Sequence, residues 1–195
     1  MSKDIVLVSN NKGKIVEVKS VLEPLGFNVL CLNDLNIDID IEENGTTYEE
    51  NALIKARFIK NKYSRIIADD SGIEIFSLDN KPGVFSARFL GETTPYIEKN
   101  KIVIDMLKDK EDKGAKFVSV IAYIHNGKEN IFRGEVEGTI TSEIRGSDGF
   151  GYDPIFLPNG IKNTFGEMAD NQKNNISHRA IALNKLKEWL KDEKI

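Results

Sequence analysis

The chain has a single cysteine, Cys31, among 195 residues, so it can form no internal disulfide and lacks the thiol density of a secreted scaffold. It has two histidines, and with one cysteine they cannot supply a zinc-ligand cluster. No apolar run approaches membrane-spanning length. The apolar stretch near the start, Ile5-Val6-Leu7-Val8, is far too short for a secretory signal, and the expected location is cytoplasmic. Positive charge is not in excess. Lys and Arg number 27 against 31 Asp and Glu, for a net charge of −4. That balance argues against a surface for nucleic acid polymers. A small anionic ligand stays open, because it needs only a local cluster of cations. There is no internal repeat and no low-complexity segment. What is present, 40% hydrophobic and 30% charged residues, suits one domain over residues 1–195 with a real core.

Ile5–Val8 reads as a buried strand, Ser9–Lys14 as a polar loop, and Ile15, Val18, Leu22 and Leu25 as the apolar face of a helix that stops at Gly26. Strand, short loop and helix in that order leave free backbone N–H groups at the positive end of a helix dipole. Lys12 and Lys14 add charge, so the loop fits a phosphate cradle or an ordinary capped turn. The Walker A spacing is absent. Phe27–Leu32 is a second strand. Ile37-Asp38-Ile39-Asp40-Ile41-Glu42-Glu43 alternates like a half-buried strand, its acids either solvated or, at its end, within reach of a metal. Thr46 with Glu49 and Thr47 with Glu50 offer two capping boxes for a helix through Lys60, which places Lys55 and Arg57 on the surface unless the helix start faces a cleft.

That helix leads to Ile66-Ile67-Ala68-Asp69-Asp70-Ser71-Gly72-Ile73-Glu74-Ile75. An apolar run ends in two adjacent carboxylates, then a Ser-Gly turn, then alternation resumes. Ligands of α/β proteins collect at carboxyl ends of strands. The pair suits a hard cation or a general base, and equally a solvated turn.

Thr94-Pro95 marks a helix start, with Tyr96, Val103, Met106 and Leu107 on its apolar face. Phe117–Ile124 is the longest apolar run and reads as a central strand. Asn126-Gly127 is a hairpin signal returning through Asn130–Ile140, with His125 a turn residue. Gly146–Pro154 interleaves glycine, aromatic and acidic residues; it fits either a glycine-rich connection or a loop where backbone approaches a ligand. Ser177 caps the last helix, whose buried stripe is Leu183, Leu186 and Leu190. His178 and Arg179 then fall in the first turn, where cations are disfavoured. Either both point to solvent or an acceptor-rich ligand offsets the cost.

Ser9-x-Asn11-x-x-Lys14, Ala68-Asp69-Asp70-Ser71-Gly72, Pro82-Gly83-x-x-Ser86-Ala87-Arg88, Gly149-Phe150-Gly151-Tyr152-Asp153-Pro154 and Ser177-His178-Arg179 occur in that order. The set resembles the inosine/xanthosine triphosphate pyrophosphatase family, with Asn10 where many members carry Gly. The resemblance implies an α/β fold in which helices flank an elongated, curved, mixed central sheet, with an active-site cleft between two lobes. It implies a homodimer, dependence on Mg²⁺, and hydrolysis of deaminated purine nucleoside triphosphates to the monophosphate and pyrophosphate. Carried over, Ser9, Asn10, Asn11, Lys12, Gly13 and Lys14 hold phosphates, with Lys55 near them. Asp70 is general base and metal ligand, and Glu42 the second metal carboxylate. Ser71 touches substrate, and Phe150, Gly151, Tyr152, Asp153, Lys173, His178 and Arg179 form the base and phosphate pocket. On residue chemistry alone, a phosphomonoesterase with an aspartyl nucleophile and a non-catalytic nucleotide sensor are the competing classes.

Overall fold

The computed structural model describes residues 3–39 and 41–192. The chain opens with β1 (Asp4–Leu7), α1 (Lys12–Leu22) and β2 (Asn28–Cys31), followed by α2 (Tyr48–Phe58) and β3 (Arg65–Ile75). Then come β4 (Lys81–Pro82), α3 (Tyr96–Met106), β5 (Gly114–His125), β6 (Lys128–Ile140), β7 (Phe156–Pro158), α4 (Asp170–Ile176) and α5 (His178–Asp192). The strands pair in the order β2-β1-β3-β5-β6-β7, with β4 on β3. Pairings of β1 with β2 and with β3 are parallel, whereas β3 with β4 and β6 with β7 are antiparallel. The fold is therefore mixed α/β, as the sequence suggests. Asn126 and Gly127 both have positive φ, 49° and 78°, which is the backbone a two-residue hairpin turn requires.

Two compact units divide the chain. The first comprises residues 1–70, 119–134 and 179–195. Its core joins Ile5 and Leu7 of β1, Ile67 of β3 and Ile121 of β5 to Val18 and Leu22 of α1 and Leu183, Leu186 and Leu190 of α5. Each such side chain, fully buried, contributes about 1.5–3 kcal/mol. That burial fixes the end of β1, the middle of β3 and the first turns of α1 and α5, which carry the polar residues of interest. The second unit comprises residues 71–118 and 135–178. Its core gathers Ile73, Ile75, Val103, Leu107, Phe117, Tyr152, Phe156 and Phe165.

Four expectations are corrected here. The Asp69-Asp70-Ser71-Gly72 segment is not a turn: β3 runs unbroken from Arg65 to Ile75, and both aspartates are buried. The alternating segment 37–43 is not a strand. Its residues 37–39 and 41–43 have no regular structure, and Asp40 lies outside the described residues. Alternation describes a half-buried strand only when a neighbouring strand satisfies its backbone ladder. Thr94 does not cap α3; Pro95 holds that position, and the Thr94 hydroxyl donates to the Leu90 carbonyl at 2.7 Å. On α3, Tyr96 and Met106 are exposed, while Lys99 and Asn100 are buried beside Val103. Of the two candidate capping boxes, Thr47 with Glu50 forms, and it starts α2 at Tyr48.

Candidate active site

In the first unit, β1 ends at Leu7 and hands the chain to a short polar loop before α1. The loop is fixed by its own side chains. Asn11 N–H donates to Ser9 Oγ at 3.1 Å, and Asn11 Oδ1 accepts from Lys14 N–H at 3.1 Å, capping the helix. Asn10 Oδ1 accepts from Asn33 N–H at 3.1 Å and ties the loop to the segment after β2. The first turn of α1 carries no acid, so Lys12 and Lys14 face no carboxylate of their own turn. This is the arrangement expected of an anion cradle.

Beside it, strand geometry separates the two aspartates. Successive side chains of a strand point to opposite faces, so adjacent Asp69 and Asp70 enter different environments. Asp69 lies among cations. Its Oδ2 is 2.5 Å from Lys14 Nζ, and its Oδ1 accepts from Arg179 Nε at 3.0 Å and from Ser119 Oγ at 2.6 Å. Burial alone would raise its pKa, but Arg179 and Lys14 outweigh burial and hold this carboxyl well below the usual range. Asp70 takes a different set. Lys55 Nζ donates to its Oδ1 at 3.0 Å and Asn51 Nδ2 to its Oδ2 at 3.4 Å. Burial pushes its pKa up to about 6, against the pull of Lys55 and Lys14 and with the help of Glu43. One aspartate is thus a fixed counter-charge, and the other is poised near neutrality.

Lys55 is not a surface residue. It is buried on the side of α2 that faces Asp70, and its Nζ also binds Glu43 Oε2 at 2.8 Å. Burial works against its charge, but Asp70 and Glu43 prevail and raise its pKa. Glu42, expected as the second metal carboxylate, is exposed. Glu43 is the one brought to Lys55 and Asp70. Both are oxygen donors of the kind hard cations take, and the place between them already accommodates a positive charge. Among the described residues no group of three or more His, Cys, Asp and Glu side chains converges for a metal. Arg179, expected in the base and phosphate pocket, is 1% exposed and binds Asp69 and Glu17. The acceptors that offset its place in α5 are a pair of protein carboxylates, not the ligand that the sequence suggested.

The second unit holds the Gly149–Asp153 loop. Asp153 is buried, and its Oδ2 accepts from Phe150 N–H at 2.7 Å and from Lys173 Nζ at 2.8 Å. The carboxylate folds so far back that a Cβ at Gly149, φ +73°, would lie 2.2 Å from it. Glycine there is what lets the loop close. The Lys173 ammonium also lies 4.5 Å from the Phe150 ring centroid. Tyr152 is buried, its hydroxyl donating to the Ser86 carbonyl at 3.1 Å and its ring meeting Tyr96 edge-on at 5.4 Å. Asn100 Nδ2 donates to the Gly151 carbonyl at 3.2 Å. His178 stacks on Phe117 at 4.6 Å. Ser71, half-buried on β3, belongs to this unit as well. Phe150, Asp153 and Lys173 therefore converge, whereas Gly151 and Tyr152 turn to Asn100, Ser86 and Tyr96.

Sequence reasoning missed Glu17, Asn51, Asn100 and Ser119, and of the two acids at the end of segment 37–43 it settled on Glu42 rather than Glu43. Ser119 carried a signal, since apart from Tyr123 it is the one hydroxyl in the apolar run Phe117–Ile124. Glu17 carried another, one helical turn after Lys14.

The family model described as the Ham1 family matches residues 5–189. A relative from Christiangramia forsetii, named dITP/XTP pyrophosphatase, is 43% identical over 187 residues, covering 95% of this chain and 98% of its own length. The solved structure of a HAM1 protein from Coxiella burnetii is 39% identical, with a TM-score of 0.89 over 98% of this chain and 100% of that one. The Staphylococcus aureus Ham1 protein is 38% identical, with a TM-score of 0.88 over the same shares.

Proposed function

The chain belongs to the Ham1 family, and from that premise we propose that it hydrolyses deaminated purine nucleoside triphosphates, such as the inosine and xanthosine forms, to the monophosphate and pyrophosphate in a Mg²⁺-dependent reaction. The observation that carries the reading is the division of labour between two adjacent carboxylates. Asp69 is locked among cations, while Asp70 is buried, raised to about 6 and held next to Lys55 and Glu43. A general base works best with a pKa near the operating pH. The name of the relative from Christiangramia forsetii supports the substrate class.

In this reading the Ser9–Lys14 loop takes the phosphates on its backbone N–H groups and on Lys12 and Lys14. Asp70 orients the attacking water and accepts its proton. Lys55 offsets the charge that develops on the phosphate oxygens. Asp70 and Glu43 would hold Mg²⁺, which when bound supplies further neutralisation of phosphate charge. Phosphoryl-type transfer depends on such positioning more than on covalent help.

Base recognition falls to the aromatic loop that follows Gly149. Phe150 supplies a stacking face, held by the Asp153 clamp on its own N–H and by Lys173. Hypoxanthine and xanthine present a 6-keto acceptor where adenine presents an amine. A site built to donate to that oxygen rejects adenine by about 10⁴–10⁵-fold, because its donors would be left unpaired.

The test is a product assay on purified protein with inosine, xanthosine, adenosine and guanosine triphosphates offered separately. Pyrophosphate and phosphate are measured independently, with Mg²⁺ and with a chelator. Pyrophosphate from the first two only, lost on chelation, is the expected result. Phosphate in its place, or equal rates on all four, overturns the reading. Phe150→Ala is expected to cost about 1–3 kcal/mol of base binding. The nucleotide KM rises accordingly, while inhibition by inorganic pyrophosphate stays constant. Equal loss for both ligands would remove the stacking role.

A further inference from the structure

Glu17 has no part in the chemistry above, yet it is a carboxylate with 8% exposure inside α1. Burying such a charge costs several kcal/mol unless it is paired. Its partner is NH1 of Arg179, itself 1% exposed and set unfavourably in the first turn of α5. Two further donors of Arg179 turn to Asp69, with Nε to Oδ1 at 3.0 Å and NH2 to Oδ2 at 3.4 Å. Asp69 Oδ2 in turn binds Lys14 Nζ at 2.5 Å. The four side chains alternate in sign, from Glu17 through Arg179 and Asp69 to Lys14. The series begins and ends on one helix, because Lys14 and Glu17 stand one turn apart.

The two distances at Asp69 Oδ2 explain why a second carboxylate is needed. A guanidinium prefers to grip a carboxylate with both arms. Here the second arm reaches Oδ2 only at 3.4 Å, while Lys14 holds that oxygen at 2.5 Å. Glu17 takes NH1, so the guanidinium is shared between two carboxylates, and Asp69 Oδ2 lies closer to Lys14 than to Arg179.

We propose that Glu17 is a positioning residue that acts through Arg179 and Asp69 to keep the Lys14 ammonium in place for the triphosphate. Without it, Arg179 shortens its longer contact to Asp69 Oδ2 and displaces Lys14 from that oxygen. The inference rests on the reading of Lys14 as a phosphate ligand.

The experiment is a double-mutant cycle on the full chain with Glu17→Gln, Lys14→Ala and both together. It measures kcat and KM for inosine triphosphate with Mg²⁺, and calorimetric binding of inorganic pyrophosphate. Glu17→Gln is expected to raise KM and weaken pyrophosphate binding about tenfold, with kcat changed far less. In the Lys14→Ala background the same change is expected to add nothing. An equal additional loss in that background overturns the proposal and makes Glu17 a purely structural pair. No change on Glu17→Gln overturns it as well. If Lys14→Ala itself leaves pyrophosphate binding intact, the phosphate-loop reading fails and takes this inference with it. Should Glu17→Gln not fold, Glu17→Asp serves. It keeps the charge but withdraws it by one methylene, with a smaller loss expected that again vanishes without Lys14.

Discussion

Asp70→Asn is expected to lower turnover by about 10²–10⁴-fold, the span a positioned general base supplies, while leaving nucleotide binding in place. Asparagine keeps the size of the side chain and retains a carbonyl oxygen that can accept from Lys55, now 3.0 Å from Oδ1. It cannot take a proton from water. The substitution therefore removes proton acceptance with little repacking. Steady-state turnover and calorimetric binding of inosine triphosphate check the outcome together. Near-normal turnover would show that Asp70 is not the base. Loss of binding equal to the loss of turnover would show that its role is to hold the substrate.

The second large effect is on stability. Arg179→Met is expected to destabilise the protein by about 3–5 kcal/mol, since it leaves Glu17 and Asp69 buried with their shared cation gone. For a chain of this size that corresponds to a fall in Tm of about 6–20 °C. Arg57→Met is the contrasting variant. Arg57 pairs with Glu129 at 2.6 Å, but its side chain is 48% exposed. Such surface pairs contribute about 0–1 kcal/mol. Thermal melts of both variants decide the matter. Similar small shifts for the two would mean that the buried network relaxes or admits water when its arginine is lost.

How much of this was legible in the sequence depends on the range of the interactions. The strand, polar loop and helix around Ser9–Lys14 were, because they are contiguous and Asn11 caps its own helix. The closing of the Gly149–Asp153 loop on itself was, for the same reason. The roles of Asp69 and Asp70 were not. Ser71 and Gly72 have the composition of a turn, and only an unbroken β3 puts the two carboxylates on opposite faces. Glu42 and Glu43 could not be told apart, because the alternation around them is not that of a strand. Arg179 is the instructive case. Its position against the dipole of α5 showed that an acceptor was required. That acceptor includes Glu17, 162 residues away in the chain, and no local pattern points across such a distance.

Lys55 lies between Asp70 and Glu43 at 3.0 and 2.8 Å. The two acids therefore share a counter-charge that the chain itself supplies. Any cation that Asp70 and Glu43 took up would have to compete with that ammonium for the same oxygens.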